Sequence, residues 1–74
     1  MLFKKGMTVS TVEKKMESFP WWELTREKHF DSTREVNLYY RDGENQLVVW
    51  FDGNEKYAAY EIFDGSYNTL AAEH

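Results

Sequence analysis

Apolar residues recur along this chain at two different periods, and the period changes once, at Pro20. Before it, Val9, Val12, Met16 and Phe19 stand three and four apart, the spacing that lines one face of a helix. Thr8 suits the N-cap, because it places Met7 and Val12 where a hydrophobic staple forms across the first turn. Ser10 with Glu13 offers a competing capping box, but Thr8 gathers the four apolar residues on one face. Glu13, Lys14 and Glu17 fall opposite and should meet water. Pro20 cannot continue a helix and disfavours helical backbone at Phe19. The pattern predicts a helix over residues 8–18.

After Pro20 the alternation is every second residue. Trp22, Leu24 and Phe30 against Glu23, Thr25 and Glu27 predict a strand over 21–30, closed by an Asp31-Ser32 turn. Val36, Leu38 and Tyr40 predict a second over 34–41. The loop Arg41–Asn45 contains Asp-Gly, a strong hairpin signal between apolar runs. Leu47, Val49 and Phe51 form the inner side of a third strand, 46–52; Asp52-Gly53-Asn54 turns, and Ala58, Tyr60 and Ile62 supply a fourth, 56–63. Asp64-Gly65 ends the sheet and leaves residues 66–74 as a tail, with a short helical turn at Thr69–Ala72. The expected fold is α+β: one domain, 1–74, with an N-terminal helix packed on one face of a four-stranded antiparallel β-meander.

A single helix covers only one side of such a sheet. Tyr39, Val48, Trp50, Tyr57, Ala59 and Phe63 point the other way, where a one-sided sheet usually carries Thr, Lys and Glu. Glu35, Asn37 and Glu61 meet that usual pattern; the aromatics do not. Exposed apolar patches with Tyr and Trp near their centre mark interaction sites, which makes Tyr39, Val48, Trp50, Tyr57 and Phe63 the candidate partner-binding residues. Two other outcomes stay open. The tail folds across this face through Tyr67 and Leu70, or a bulge slips the register by one residue and turns the aromatics inward.

Composition narrows the functions. Seventy-four residues without a cysteine exclude disulfide and thiolate-metal staples, so stability must come from packing, for which 18% aromatic residues are a good supply. The net charge of −4 is unevenly spread. Residues 1–41 hold eight Lys/Arg and six Asp/Glu, whereas residues 42–74 hold Lys56 against seven acids. Such an acidic half weighs against phosphate backbones and favours a basic partner surface. No apolar run is long enough to span a bilayer, and no apolar h-region follows Leu2-Phe3 to make a signal peptide. Both features, with the lack of cysteine, fit a cytoplasmic protein.

Chemistry-bearing motifs are missing from the sequence. His29 and His74 are far apart, there is no His-Glu-x-x-His, no Gly-rich phosphate loop and no cysteine nucleophile. Asp42, Glu44, Asp52, Glu55 and Asp64 cluster in turns without the calcium-loop spacing, and Asp before Gly is a turn signal first. No metal, cofactor or catalytic residue is expected, and the reading is a non-enzymatic module.

Gly6-Met7-Thr8, followed by Val12 and Met16, is similar to the Gly-Met-Thr-x-x-x-Val helix opening of the BamE/SmpA and β-lactamase-inhibitor-protein-like (BLIP-like) group. Pro20 falls where that group often has a proline after its helix. Tyr40 and Leu47-Val48-Val49-Trp50-Phe51-Asp52-Gly53-Asn54 resemble its tyrosine-bearing strand and the Leu-x-Val-x-Phe-x-x-Gly strand that follows. In place of Leu-Gly-x-Pro this chain has Glu17-Ser18-Phe19-Pro20, a second helix is missing, and there is no cysteine to acylate. The resemblance implies a protein-binding module that uses its outer sheet face. The expected function is thus a small protein-binding, inhibitory or regulatory module. The alternatives are a homodimeric structural protein and, less favoured, a single-stranded nucleic-acid binder stacking bases on Tyr39, Trp50 and Tyr57. That last role needs positive charge beside the rings.

Overall fold

A single short helix precedes five strands. The computed structural model describes residues 2–74, with α1 at Val9–Met16, β1 at Glu23–His29, β2 at Val36–Asp42, β3 at Asn45–Phe51, β4 at Tyr57–Phe63 and β5 at Thr69–Glu73. The strands lie in chain order in one antiparallel sheet. The expected four-stranded meander is therefore corrected to five strands, within a fold that remains α+β. Residues 69–73 are neither tail nor helical turn; they pair with β4.

The turn before β5 explains the difference. Asp64 Oδ1 accepts from the backbone N–H groups of Ser66 (2.8 Å) and Asn68 (3.0 Å), and Asp64 N–H donates to the Asn68 carbonyl. Tyr67 takes a left-handed φ of 62°. The Asp-Gly that reads as the end of the sheet is instead the start of a hairpin. Four residues are too few to hold a helix alone, whereas the open edge of β4 offers them backbone partners. Because β5 extends the sheet sideways, it does not fold across the outer face.

Thr8 caps α1: its backbone is extended and its Oγ1 accepts from Thr11 N–H at 3.2 Å. Val12 and Met16 are buried, with Met7, Val9 and Phe19 packed partly against the same cluster. Helical bonding stops two residues earlier than the pattern predicts. Glu17, Ser18 and Phe19 donate to carbonyls three residues back, at Lys14, Lys15 and Met16, so the chain tightens into turns before Pro20 arrives.

The strand registers set the core as three rows under the helix. Val36, Phe51 and Tyr57 form one, Leu38, Val49 and Tyr60 the next, and Tyr40, Leu47 and Ile62 the third. Phe3, to which the sequence pattern assigns no place, is fully buried against Tyr57 and Tyr60, with ring centroids 5.3 and 5.8 Å away. The segment carrying it is pinned by Tyr57 N–H donating to the Met7 carbonyl at 2.7 Å, and by a bridge between Thr8 and Lys56.

At the end of the sheet opposite the β2–β3 turn, the β1–β2 and β3–β4 loops pack tightly together. A Cβ on Gly53 would stand 2.7 Å from the Thr33 carbonyl oxygen, so only glycine permits this approach. Asp52 Oδ1 organises its own loop by accepting from Asn54 and Lys56 N–H.

Candidate functional site

Strand alternation leaves a second face that α1 does not touch, and the registers lay it out as three rows running from β1 to β5. The first holds Lys28, Asn37, Trp50 and Ala59; the second Arg26, Tyr39, Val48, Glu61 and Ala72; the third Glu23, Arg41, Gln46 and Phe63. Four of the five candidate residues, Tyr39, Val48, Trp50 and Phe63, meet here, and Ala59 with them. Val48 lies at the centre and is only 6% exposed, while Tyr39, Trp50 and Phe63 are half-buried around it. The patch is a shallow apolar centre with polar margins.

Tyr57 does not belong to it. Its side chain is 1% exposed in the core, its ring packs on Phe3, and its hydroxyl donates to Glu73 Oε1 at 3.0 Å. Burial and the neighbouring carboxylate push that hydroxyl well above the ordinary tyrosine range. The cause is a bulge: Phe51 pairs with Tyr57 and Trp50 with Ala59, so Ala58 has no opposite residue and alternation restarts after it. Tyr57 therefore shares a face with Tyr60 and Ile62, and Ala58 does not take the inner place expected for it. The spacing of three between Tyr57 and Tyr60, across two alanines, is the signal in the sequence.

A second bulge, at Thr25, changes the charge of the outer face. Leu24 pairs with Tyr40 but Arg26 pairs with Tyr39, and Thr25 Oγ1 donates to the Tyr39 carbonyl at 3.1 Å. Beyond it Glu27 and His29 turn toward the helix side, opposite Leu38 and Val36, and Arg26 and Lys28 turn outward. Simple alternation places Glu27 outward. The face that sequence asymmetry suggests is acidic thus carries Arg26, Lys28 and Arg41 along β1 and β2, against Glu23 and Glu61.

Each ring on the outer side is accompanied. The Arg26 guanidinium lies 5.8 Å from the Tyr39 ring centre and the Lys28 ammonium 4.8 Å from that of Phe30. The His74 ring lies 6.1 Å from Trp50 and the Tyr67 ring 6.4 Å from Phe63. Asn37 Nδ2 donates to the Tyr39 hydroxyl at 3.0 Å, fixing that ring's orientation. Arginine and lysine over aromatic faces present a flat apolar surface with fixed positive charge beside it.

The other grouping of polar side chains sits on the helix side of β1. His29 Nε2 and Glu27 Oε2 are 2.7 Å apart, and Glu13 of α1 faces Glu27. The hydrogen bond to Glu27 raises the imidazole above its ordinary 6.5, and the same bond holds Glu27 below the usual carboxylate range. Burial, then hydrogen bonding to and repulsion from Glu27, raise Glu13. Tyr40 beneath them is pushed up to about 12, chiefly by burial. The His29 and Glu27 side chains are 52% and 38% exposed, and the adjoining groove of about 490 Å³ opens to solvent. No nucleophile stands within their hydrogen bonds, and no group of three or more His, Asp or Glu among the described residues is arranged to hold a metal ion. No helix of the described residues is long and apolar enough to cross a membrane. Comparison with protein-family models, curated proteins and solved structures finds no match to this chain.

Proposed function

We propose that this protein is a small non-enzymatic binding module, inhibitory or regulatory in effect, that docks a partner protein on its outer sheet face. The observation that carries the reading is the face itself: Tyr39, Trp50 and Phe63 stand half-buried around Val48 on the side that neither α1 nor β5 covers. Aromatic anchors at the centre with arginine at the margin is the composition of protein-binding patches. The resemblance to the BamE/SmpA and BLIP-like group points the same way. Absence of cysteine suits a cytoplasmic setting.

Affinity capture with three baits tests it: wild type, Trp50→Glu, and Lys14→Gln on the exposed side of α1. A protein retained by wild type and Lys14→Gln but lost with a folded Trp50→Glu supports the reading. Equal retention by all three sinks it, and so does retention by none when the wild type is also a fixed monomer.

One observation favours a second reading, single-stranded nucleic acid. Arg26, Lys28 and Arg41 place positive charge beside Tyr39, which stacking binders need. Glu23 and Glu61 on the same face and a net charge of −4 oppose it. Fluorescence anisotropy with labelled oligonucleotides at low salt decides: no rise with the wild type closes this alternative.

A further inference from the structure

We propose that the outer face is self-complementary and that its occupant is a second copy of this chain, packed sheet to sheet about a two-fold axis parallel to the strands and passing over β3. The proposal rests on the reading of this face as a docking surface and names the partner.

Charge placement carries the argument. The three cations, Arg26, Lys28 and Arg41, lie on β1 and β2, with Glu23 opposite Arg41 at one end, and Glu61 lies on β4. Two strands separate Arg26 from Glu61, so they do not meet within one chain. Among the described residues the only ion pair within 4.0 Å is His29 with Glu27, on the other side of the sheet. Arg41 Nε donates to the Gly43 carbonyl and Glu61 Oε2 accepts from the Thr69 hydroxyl, but no outer-face cation among the described residues has a carboxylate within ion-pair distance in the monomer. A two-fold axis along the strands exchanges β1 with β5 and β2 with β4, and returns β3 onto itself. Arg26 then stands over the partner's Ala72, offset sideways by about one strand spacing of 4.8 Å from the partner's Glu61 across the ~10 Å between the sheets, a gap that the two long side chains together span. Arg41 stands over the partner's Phe63, a cation–π arrangement. Trp50 meets the partner's Trp50 at the middle. The alternative axis, across the strands, stacks Arg26 on the partner's Arg26 and Glu61 on the partner's Glu61, which electrostatics opposes.

Packing geometry allows this pairing. Sheets stack face to face about 10 Å apart with strands nearly aligned, and Val48 and Ala59 keep the centre low around Trp50, whose ring lies 6.1 Å from that of His74. Area limits its strength. Four strand spacings by one seven-residue strand give a footprint of about 450 Å² per copy, or about 900 Å² in total. That lies below the ~1,200 Å² of stable complexes, so the dimer forms at micromolar or higher concentration.

Sedimentation equilibrium over a concentration series, from low micromolar to near millimolar, tests this on the full chain. The wild type should climb from 8.9 kDa toward twice that mass, and Trp50→Glu should stay monomeric. Arg26→Glu and Glu61→Arg should each weaken association by about tenfold or more, and the two together should restore it. To separate loss of association from loss of folding in Trp50→Glu, concentration-dependent amide shifts of the wild type give a second readout. They should map to Tyr39, Val48, Ala59 and Glu61 and leave α1 unmoved. A wild type fixed at 8.9 kDa overturns the proposal, as does association indifferent to the charge changes, absence of rescue in the double variant, or shifts confined to α1. A fixed monomer that still loses a captured protein on Trp50→Glu leaves the docking reading standing with a different partner. A fixed monomer that captures nothing removes both.

Discussion

Exchanging the roles of Tyr57 and Trp50 is the sharpest test of the bulge at Ala58, because simple alternation puts both on the outer face. With Tyr57 in the core, Tyr57→Ala removes a ring that buries on the order of 150–200 Å², worth about 4 kcal/mol at 25 cal/mol per Å². Large-to-small replacements of buried aromatics cost about 3–5 kcal/mol, cavity included. The lost hydroxyl bond to Glu73 adds about 1 kcal/mol. A 74-residue domain has a total stability of about 4–11 kcal/mol, so Tyr57→Ala should leave the protein marginal or unfolded. Tyr57→Phe keeps the ring and should cost only about 1 kcal/mol. Trp50→Glu, at a half-buried position on the open face, should cost about 1 kcal/mol, the span of strand propensities. The assay is urea unfolding followed by far-UV circular dichroism, which does not depend on the tryptophan being changed. At about 1 kcal/mol per molar urea, the Tyr57→Phe midpoint falls by about 1 M. A Tyr57→Ala protein as stable as wild type, together with an unfolded Trp50→Glu, would show that the two faces are exchanged and refute the register argument.

Phe3→Ala should lower stability by about 3–5 kcal/mol, read by the same unfolding curves, with Trp21→Ala (56% exposed) as a control that changes little. Gly53→Ala should destabilise by about 1–3 kcal/mol, since its Cβ meets the Thr33 carbonyl at 2.7 Å, while Gly65→Ala meets Glu44 Cβ and Oε2 at 3.1 Å, a gap that closes with a shift of a few tenths of an ångström, and should cost less; equal melting temperatures for both contradict the loop contact. Stability should fall on both sides of neutrality. On the acid side Asp64 and Glu27, both held below their ordinary range, lose their contribution as pH drops through their folded pKa values. On the alkaline side His29, raised above 6.5, loses its contribution as pH climbs through its folded pKa. Glu13 is raised too, and its contribution is lost as pH rises through the carboxylate range, opposing the acid-side trend. Melting temperature against pH reads all of this: His29→Gln should flatten the decline above neutrality, and an unchanged slope would show that the bond to Glu27 contributes nothing.

The helix was legible because it needs only local information: the Met7–Val12 staple, the Thr8 hydroxyl and the Pro20 stop all lie within fourteen residues. The β2–β3 hairpin was legible for the same reason, with Asp-Gly between two alternating runs. The fifth strand was not, because Leu70-Ala71-Ala72 has no strand propensity of its own and takes its conformation from the β4 edge beside it. Phe3 was missed because burial at a chain end follows from which residues meet it, Tyr57 and Tyr60, more than fifty positions away. For the candidate face, Tyr39, Val48, Trp50 and Phe63 were readable by parity from well-marked inner positions. Arg26 and Lys28 were not readable as its margin, since their side depends on an extra residue that leaves no mark in hydrophobic pattern.

That extra residue is the step that gives the face its chemistry. Without the bulge at Thr25, parity from Leu24 would put Arg26 and Lys28 over the core beside Leu38 and Val36, and Glu27 outside. Two cations against apolar side chains are costly to desolvate, whereas the bulge sets Glu27 and His29 there, where they neutralise one another at 2.7 Å near the rim. The bulge at Ala58 does the reciprocal service on β4: it admits Tyr57 to the core, while Ala59 stays on the outer side where simple alternation also puts it. Both shifts keep the core apolar; the one at Thr25 also gathers Arg26 and Lys28 with Arg41 and Glu23 on one flank, across Trp50 from Glu61. An exposed edge needs one such irregularity to discourage pairing, which accounts for β1; β4 is an interior strand, so its bulge has no protective role. What it does accomplish is to take the Tyr57 ring off the outer face and into the core, which leaves the side beside Trp50 low enough for face-to-face docking.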